Sequence, residues 1–515
     1  MSTNKSILRS TGLIGILTVF SRILGFVRDV FIARIFGTGI AAEAFVVAFR
    51  IPNLMRELIG EGAANAVFVP VFCEYLVKDK KELFRVVNIL FNIIFFLLCF
   101  IIFLGIIFSL PIVKTIAPGF INDNYKLNLT VRLTRLMFPY LLFIGLTAYA
   151  MGILNAFKEF ALPAFGPALL NLSLIGACLF SAFFAEPIIV LAWGVLIGGV
   201  LQLIIQVPSI YKKGFRFRFF EFQFKHPAVI KISKLLIPRF FGSAIYQLNV
   251  FMDTVFASLT RIVGEGAVAA IYYANRIIQF PLAVFGISLS VAALPVMSLQ
   301  VANADIEKLK NTLKFSLNII FLITIPISMI ICIFPYPIIK LLFEHGNFGS
   351  YSVAITASAL LFYSLGLPFY ALVKIMSSAF FSLKDTETPV KTTSFCLLLN
   401  ILLNYILMHP LKVGGLALAS SISSAINFSL LFYILEKRIG KFGRLQIIDS
   451  FLRICLATLF MGLTAKIFWH FLRFPLFFRL LFSLTIAIAV FILSGILLKV
   501  EALRIFKIKW NLKKR

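Results

Sequence analysis

A succession of long apolar runs, separated by short polar segments, is the feature that most constrains this chain of 515 residues. A helix that crosses a bilayer needs roughly 20 consecutive, mostly apolar residues. Apolar residues make up 61% of the chain and charged residues only 14%, whereas soluble domains hold about half and about a quarter. This composition excludes a soluble enzyme, a disordered chain and a disulfide-rich scaffold, and it predicts a polytopic membrane protein.

The runs predict an all-α protein with about 14 transmembrane helices. No polar segment between them is long enough to form a soluble domain. We expect an N-terminal lobe of six helices at 1–211, a cytoplasmic linker at 212–228 and a C-terminal lobe of six helices at 229–440. The remainder, 441–515, holds two further helices and a basic cytoplasmic tail.

The formal net charge of +28 raises the question of a nucleic-acid partner. The basic residues lie mostly between the apolar runs rather than on one soluble face, and most of them lie on the same side of the predicted helices as both termini. Because basic loops stay on the cytoplasmic side, this asymmetry predicts cytoplasmic termini and no nucleic-acid binding.

Two short motifs recur at one offset of 226 residues. Ala48–Ile51 corresponds to Ala274–Ile277, and Lys158-Glu159 corresponds to Lys384-Asp385. An offset of six predicted helices gives two copies that run parallel in the membrane, as in two-lobed transporters whose substrate site lies between the lobes. The last two helices fall outside the repeat.

Charged and polar residues interrupt the first two helices, on one face of each. A charge at the bilayer centre costs on the order of 2.5–3.5 kcal/mol on insertion scales, so these faces do not meet lipid. They either line a watery cavity or pair with one another. The residues are Ser21, Arg22, Arg28 and Asp29 in helix 1, and Arg50, Asn53, Arg56, Glu57 and Glu61 in helix 2.

Arginines exceed the nearby acids when the second-lobe Arg276 is included. Arginine forks suit phosphate, so the surplus predicts a large anionic cargo with a lipid part. Internal salt bridging is the structural alternative. Helix breakers at corresponding positions of helices 2 and 8 indicate a binding site or hinge, although packing kinks explain them equally well. They are Pro52, Gly60, Gly62 and Pro70 in helix 2, and Pro281, Gly286 and Pro295 in helix 8.

A weaker set of polar residues lies in helices 7, 11 and 12. Oxygen ligands from three helices suit Na⁺, while hydrogen bonding between helices explains the same residues. The set comprises Asp253, Asn400, Asn404 and Ser420. No motif of an enzyme or of an ATP-driven pump is present in the sequence, so we expect a transporter without a catalytic site and without a bound cofactor other than a coupling ion.

Several strings resemble the MurJ (MviN) family of lipid II flippases, from about residue 8 to 440 and in the same order. Phe20–Asp29 is similar to the family's helix 1 signature, and Phe49–Arg56 with Gly60–Ala63 and Phe68–Phe72 is similar to its helix 2. Further matches are Ala117–Phe120, Phe138–Tyr140, Leu154–Phe157, Pro163–Pro167 and Tyr272–Arg276.

The resemblance implies a fold of the MOP exporter superfamily and a multi-pass protein of the bacterial inner membrane. It implies lipid II, the undecaprenyl-diphosphate-linked disaccharide pentapeptide, as cargo, with membrane lipids and the cell-wall synthesis machinery as partners. It also implies that Arg22, Arg28, Arg56 and Arg276 hold the diphosphate and that Asp29 and Glu61 are needed. Helices 13 and 14 would form a groove for the lipid tail.

Two positions depart from the family pattern. Asn275 stands where an Asp is frequent, and Asn404 stands where members with a sodium site carry a second acid. The rivals are a flippase for another polyprenyl-linked glycan, such as O-antigen, a MATE-like drug exporter and a membrane-bound glycan-modifying enzyme. The arginine surplus argues against cationic drugs, and the short external loops argue against the enzyme.

Overall fold

The computed structural model describes the backbone of residues 3–55, 67–216 and 218–500, and their side chains except at 3–14, 55 and 237–246. Within these ranges the regular secondary structure is helical, without β-strands. The apolar runs require this, because a helix pairs its backbone N–H and C=O groups within one segment and leaves none to lipid. The all-α prediction is confirmed.

The chain forms two compact units. The first contains the described residues up to Thr260 and the short segment His345–Phe348. Its helices are α1 (Thr3–Phe36), α2 (Ile40–Met55), α3 (Val69–Lys78), α4 (Lys80–Ile107), α5 (Ser109–Ile116), α6 (Asn124–Met137), α7 (Tyr140–Ala156), α8 (Ala161–Phe180), α9 (Pro187–Ile204), α10 (Val207–Lys212) and α11 (Pro227–Ala257).

The second unit contains Arg261–Glu344 and the described residues from Gly349 onwards. Here α15 and the long α17 pack against each other, and α20 packs on both α15 and α21. Its helices, with α12 beginning at the last residue of the first unit, are α12 (Thr260–Val263), α13 (Ala267–Pro281), α14 (Ser288–Ala302), α15 (Ile306–Ile333), α16 (Pro335–Phe343), α17 (Ser350–Ser382), α18 (Glu387–Leu411), α19 (Val413–Ile439), α20 (Arg444–Phe471) and α21 (Leu476–Leu497).

The helix bounds repeat at the offset that the sequence motifs predict. Helix α4 begins at Lys80 and α15 at Ile306, and the two helices have the same length of 28 residues. The starts of α8 and α9, at Ala161 and Pro187, correspond in the same way to the starts of α18 and α19. The structure thus confirms the repeat in helix order at this offset, with α20 and α21 following it. That the two copies run parallel in the membrane stays a prediction.

The turn that carries the second motif has the same backbone in both copies. Lys158 and Lys384 both have positive φ, 62° and 59°. The N–H of Glu159 donates to the Leu154 carbonyl, and the N–H of Asp385 donates to the Phe380 carbonyl. These bonds close the C-terminal ends of α7 and α17, so the short sequence match reflects one repeated helix ending.

Eleven helical segments within the described residues are long and apolar enough to cross a membrane. They cover the predicted helices except those at 10–36, 41–77 and 229–260. The exact number of 14 crossings therefore stays a prediction. The lobe boundary at 212–228 also stays a prediction, and within the first unit α11 packs against α3, α4 and α5.

A break in the second unit lies where the proline and glycine pattern predicts one. Between α13 and α14 the chain forms a π-helical segment, Leu282–Ile287, directly after Pro281. Pro281 lacks the N–H that would continue the α-helical ladder, which accounts for a local change of hydrogen bonding. In the first unit the corresponding positions lie in 56–66, outside the described residues.

A close backbone contact holds α11 in the first unit. The N–H of Gly119, in the 3₁₀ turn Pro118–Asn122, donates to Ser258 Oγ at 3.1 Å. A β-carbon on Gly119 would lie 1.8 Å from the Ser258 carbonyl oxygen. Only glycine therefore permits this approach, which brings the outer turn after α5 against the residue that follows α11.

Replacing Gly119 by alanine should lower the free energy of unfolding by about 3 kcal/mol, because the added methyl group forces backbone atoms apart. The measurement is thermal unfolding of the purified protein in detergent. Gly176→Ala is the matched control, since a β-carbon there meets nothing within 4 Å. Equal melting temperatures for the two variants would contradict the close-contact interpretation.

Candidate functional site: the polar face of α1

Arg28 and Asp29 form a buried ion pair on α1. The Nε and Nη2 groups of Arg28 donate to Asp29 Oδ1 at 2.9 and 2.6 Å. Arg28 is 5% exposed and Asp29 is fully buried. Arg28 therefore forms the internal salt bridge that is the alternative role for these arginines. Pairing with its sequence neighbour also neutralises a charge that would be costly inside the protein.

Asn171 of α8 fixes the position of Arg28. Its Oδ1 accepts a hydrogen bond from Arg28 Nη1 at 3.0 Å, and its Nδ2 donates to the Ser21 carbonyl oxygen at 2.9 Å. Asn171 packs beside Gly25, where a β-carbon would be in ordinary van der Waals contact with Asn171 Nδ2. One amide thus connects two turns of α1 to α8 and holds the guanidinium in place.

Arg22 lies two turns before Arg28 and differs from it in environment. Its side chain is exposed, and it makes no hydrogen bond or ion pair within the described part of the chain. Ser21 is half-buried. The polar face of α1 therefore has a fixed, paired arginine in its middle and an accessible arginine nearer the N-terminus.

The predicted residues of helix 2 are described only in part. Arg50 and Asn53 are half-buried on α2, and both interact with other groups. Arg56 and Glu61, with Glu57 and the glycines beside them, lie outside the described residues. Their predicted role at the site stays a prediction.

Arg276 belongs to the second unit. It is half-buried on α13, with its guanidinium carbon 5.6 Å from the centre of the Tyr272 ring. This is a cation–π arrangement, which holds the arginine near an aromatic face, and Arg276 has further interactions within the protein. The π-helical segment begins six residues further along the chain.

The residues of the predicted Na⁺ site divide between the two units. Asn400, Asn404 and Ser420 lie together in the second unit and are buried: Asn404 Nδ2 donates to Asn400 Oδ1 at 2.9 Å, and Asn400 Nδ2 donates to Ser420 Oγ at 3.3 Å. Asp253 lies on α11 of the first unit and has its own interactions.

This chain of amides and a hydroxyl connects α18 to α19 in the way that interhelical hydrogen bonds do. Two of the oxygens that Na⁺ would need already accept hydrogen bonds. Hydrogen bonding between helices therefore accounts for these three residues, the Na⁺ site stays a prediction, and we derive no transport step from it.

Sequence reasoning overlooked a second buried ion pair. Lys126 of α6 bonds to Glu43 of α2, and the two are 4% and 1% exposed. The Lys126 ammonium also lies 4.1 Å from the centre of the Phe120 ring. The signal in the sequence that points to the burial of Lys126 is Glu43, an acid near the start of the apolar helix 2.

Asn171 and Lys374 were also overlooked. Each is a polar residue inside an apolar run, which is itself the signal of a functional or structural role in a membrane helix. Lys374 lies on α17, where its carbonyl oxygen accepts a hydrogen bond from Ser290 Oγ at 3.0 Å. Ser290 also bonds to Ser378, and these contacts connect α14 to α17 beside the π-helical segment.

The family is shown by comparison with known proteins. The model of the family described as lipid II flippase MurJ matches residues 32–488. The chain belongs to the MurJ family. It is 38% identical over 429 residues to the probable lipid II flippase MurJ of Buchnera aphidicola subsp. Acyrthosiphon pisum (strain APS), covering 82% of this chain and 83% of the relative.

Two further comparisons agree. The lipid II flippase MurJ of Burkholderia cenocepacia is 35% identical over 427 residues, with 82% of each chain covered. The solved structure of lipid II flippase MurJ in an inward closed conformation superposes with a TM-score of 0.80 at 27% identity, covering 96% of this chain and 99% of that one.

A more distant structure has the same fold. An inward-facing multidrug resistance MATE family transporter of the MOP superfamily superposes with a TM-score of 0.70 at 16% identity, over 82% of this chain and 96% of the other. The many apolar helices and the MurJ relatives together identify a multi-pass bacterial membrane protein.

Replacing Asp29 by asparagine should destabilise the protein by roughly 3 kcal/mol, because it removes the buried carboxylate that accepts two hydrogen bonds from Arg28. The measurement is the free energy of unfolding in detergent. Glu186→Gln is the control, since Glu186 pairs with Arg132 at the surface, where an ion pair contributes little. A loss no greater than that of the control would show that the Arg28–Asp29 pair is not structurally required.

Proposed function

We propose that this protein transports lipid II from the cytoplasmic to the outer leaflet of the bacterial inner membrane, with both termini in the cytoplasm. The observation that carries the proposal is the family match over residues 32–488, joined to a face of α1 that holds one fixed and one accessible arginine. The cargo has a diphosphate between its sugar and its lipid, and paired arginines suit such a group.

Arg22 is the residue that we assign to first contact with the diphosphate. It is exposed and has no ion-pair partner within the described residues, so binding a phosphate oxygen breaks no ion pair among them. Its guanidinium offers a planar fork of N–H donors, which matches two phosphate oxygens at once. A lysine at this position would supply the charge but not the bidentate geometry.

Arg28 has a second role, because it already holds a carboxylate. Its Nε and Nη2 groups both donate to one oxygen of Asp29, a geometry that a phosphate oxygen can imitate. In this proposal the diphosphate displaces Asp29 from part of the fork, and Asp29 returns when the substrate leaves. Asn171 keeps the guanidinium in place during the exchange, so Asn171 and Asp29 are positioning residues.

The family resemblance and the sequence pattern assign the remaining predicted residues to the cargo. Ser21, Arg50 and Asn53 belong to the first unit, and Arg276, beside Tyr272, belongs to the second. Arg56 and Glu61 keep the roles that the family resemblance implies.

The proposed mechanism is alternating access. The headgroup enters from the cytoplasmic leaflet while the polyprenyl chain stays in lipid, and a conformational change then exposes the headgroup on the other side. The π-helical break at Leu282–Ile287 provides a place for such a change, since interrupted helices bend more readily than continuous ones. No covalent step is needed, so the protein acts as a transporter and not as an enzyme.

We propose the membrane potential or a coupling ion as the driving force for transport. One elementary charge that moves across 100 mV contributes about 2.3 kcal/mol. The sodium hypothesis stays a prediction, and association with the cell-wall synthesis machinery is a proposal that rests on the family alone.

Complementation in cells depleted of their own lipid II flippase tests the function. The wild-type chain should restore growth, whereas Arg22→Ala, Arg28→Ala and Arg276→Ala should each abolish rescue at matched membrane expression. Arg22→Lys should rescue poorly, because it retains the charge and loses the fork. Arg132→Ala is the control that should rescue fully, since Arg132 is 61% exposed and pairs only at the surface.

The outcomes separate the possible errors. If the wild type inserts correctly and fails to rescue, the cargo is wrong, and a flippase for another polyprenyl-linked glycan becomes the preferred function. If the arginine variants rescue as well as Arg132→Ala, the cargo stands and the assignment of these arginines is wrong.

A further inference from the structure

The segment between α10 and α11, residues 213–226, alternates aromatic and basic residues. We call it the interhelix linker. It contains only one acid, Glu221, so the segment is strongly cationic. Its phenylalanines are Phe215, Phe217, Phe219, Phe220, Phe222 and Phe224, and its lysines and arginines are Lys213, Arg216, Arg218 and Lys225.

Two asparagines of α4 hold the backbone of the linker. Asn88 Oδ1 accepts a hydrogen bond from the Arg218 N–H at 3.1 Å. Asn92 Nδ2 donates to the Arg218 carbonyl at 2.7 Å, and Asn92 Oδ1 accepts from the Phe220 N–H at 2.8 Å. Asn92 is fully buried beneath the linker. Asn88 and Asn92 thus supply hydrogen-bond partners that a helical backbone would find within its own segment.

Asn92, which holds the linker, lies inside the apolar run of α4 and not at its end. The run begins near Val86, and six residues of helix place Asn92 roughly 9 Å further along the axis. Amphipathic elements that lie in the membrane interface bury their apolar side to a depth of about 5–10 Å. Backbone groups at that depth need partners in the protein, which Asn88 and Asn92 supply.

The aromatic side chains continue the lipid-facing surface of α4. Phe219 packs against Phe91 and Phe95, with ring centres 5.5 and 5.6 Å apart. Phe220 and Phe222 contact Phe96 and yet remain 77% and 40% exposed. Large aromatic side chains that stay exposed beside a membrane helix are typical of residues inserted among lipids.

Three of the four basic side chains of the linker are exposed. Arg216, Arg218 and Lys225 are exposed, whereas Phe215 is buried against Phe84 and Phe157 and fixes the start of the linker. A cationic edge beside an inserted aromatic edge is the arrangement that binds an anionic membrane surface.

We propose that the interhelix linker is a docking surface for anionic phospholipids of the leaflet that it enters. The exposed Phe219, Phe220, Phe222 and Phe224 insert among the acyl chains beside α4, and Arg216, Arg218 and Lys225 contact the lipid phosphates. The linker leads directly into α11, so lipid binding also fixes the position where α11 begins. This inference concerns bulk membrane lipid and does not depend on the transport of lipid II.

Hydrogen–deuterium exchange of the full chain in nanodiscs tests the proposal. The amides of residues 213–226 should exchange more slowly in nanodiscs that contain phosphatidylglycerol than in nanodiscs of phosphatidylcholine alone. The triple variant Arg216→Gln, Arg218→Gln, Lys225→Gln should lose this difference. Removing three basic residues near the surface lowers the ratio of bound to released linker roughly 100-fold.

A control variant removes the same charge elsewhere. Lys437→Gln, Lys441→Gln, Arg444→Gln removes three exposed basic residues between the last turn of α19 and the start of α20, on the side predicted to be cytoplasmic. It should keep the slow exchange of the linker. Equal exchange of the wild-type linker in both nanodiscs, or equal loss in both triple variants, would overturn the proposal.

Two further measurements separate insertion from charge attraction. The variant Phe220→Ser, Phe222→Ser should exchange faster than wild type in both nanodiscs, because the aromatic anchor is lost whatever the headgroup. Inorganic phosphate added to phosphatidylcholine nanodiscs should leave the wild-type linker unchanged. Slow exchange in the serine variant would show that the aromatic side chains do not anchor the linker. Protection by inorganic phosphate alone would show that the linker binds a soluble anion. Either result would overturn the proposal.

Discussion

A polar group that enters the apolar interior of a membrane needs a partner inside the protein, and this requirement shapes the chain throughout. Arg28 pairs with Asp29 and is held by Asn171, and Lys126 pairs with Glu43. The same rule applies to backbone groups, which helices satisfy internally. Where the chain leaves the helical form beside α4, Asn92 satisfies the backbone instead.

The repeat provides an apolar scaffold, and the polar residues of the site distinguish its two copies. Helices α4, α8 and α9 have counterparts that begin at the same offset, which shows how closely the framework is repeated. The polar cluster of the first unit is not repeated. At the corresponding positions Arg28, Asp29 and Asn171 are replaced by Thr254, Val255 and Leu397. Arg50 has a counterpart in Arg276, so both copies have an arginine at this position. The Arg28–Asp29 ion pair is present in the first copy and not in the second.

The sequence predicted the helical class, the repeat and the polar face of α1, because each depends on local spacing. Apolar runs of membrane length specify helices, and a common offset specifies a repeat. Which residues pair with one another depends on three-dimensional contacts, so the hydrogen bond that Arg28 donates to Asn171 was not predictable from the sequence. The Na⁺ hypothesis shows the same limit, since the spacing of Asn400 and Asn404 suits ligands and hydrogen-bonded amides equally, and the structure has the amides bonded to each other.

The central claim is that this chain moves lipid II by means of the arginines on α1. The most direct measurement uses purified protein in liposomes containing lipid II with a fluorophore on its headgroup, and an impermeant reductant added outside. With wild-type protein the inner-leaflet fluorescence should also be lost as lipid II crosses, whereas Arg22→Ala should leave about half protected, as expected for a bilayer with equal leaflets. Loss of all fluorescence with Arg22→Ala, or protection with the wild type, would contradict the account.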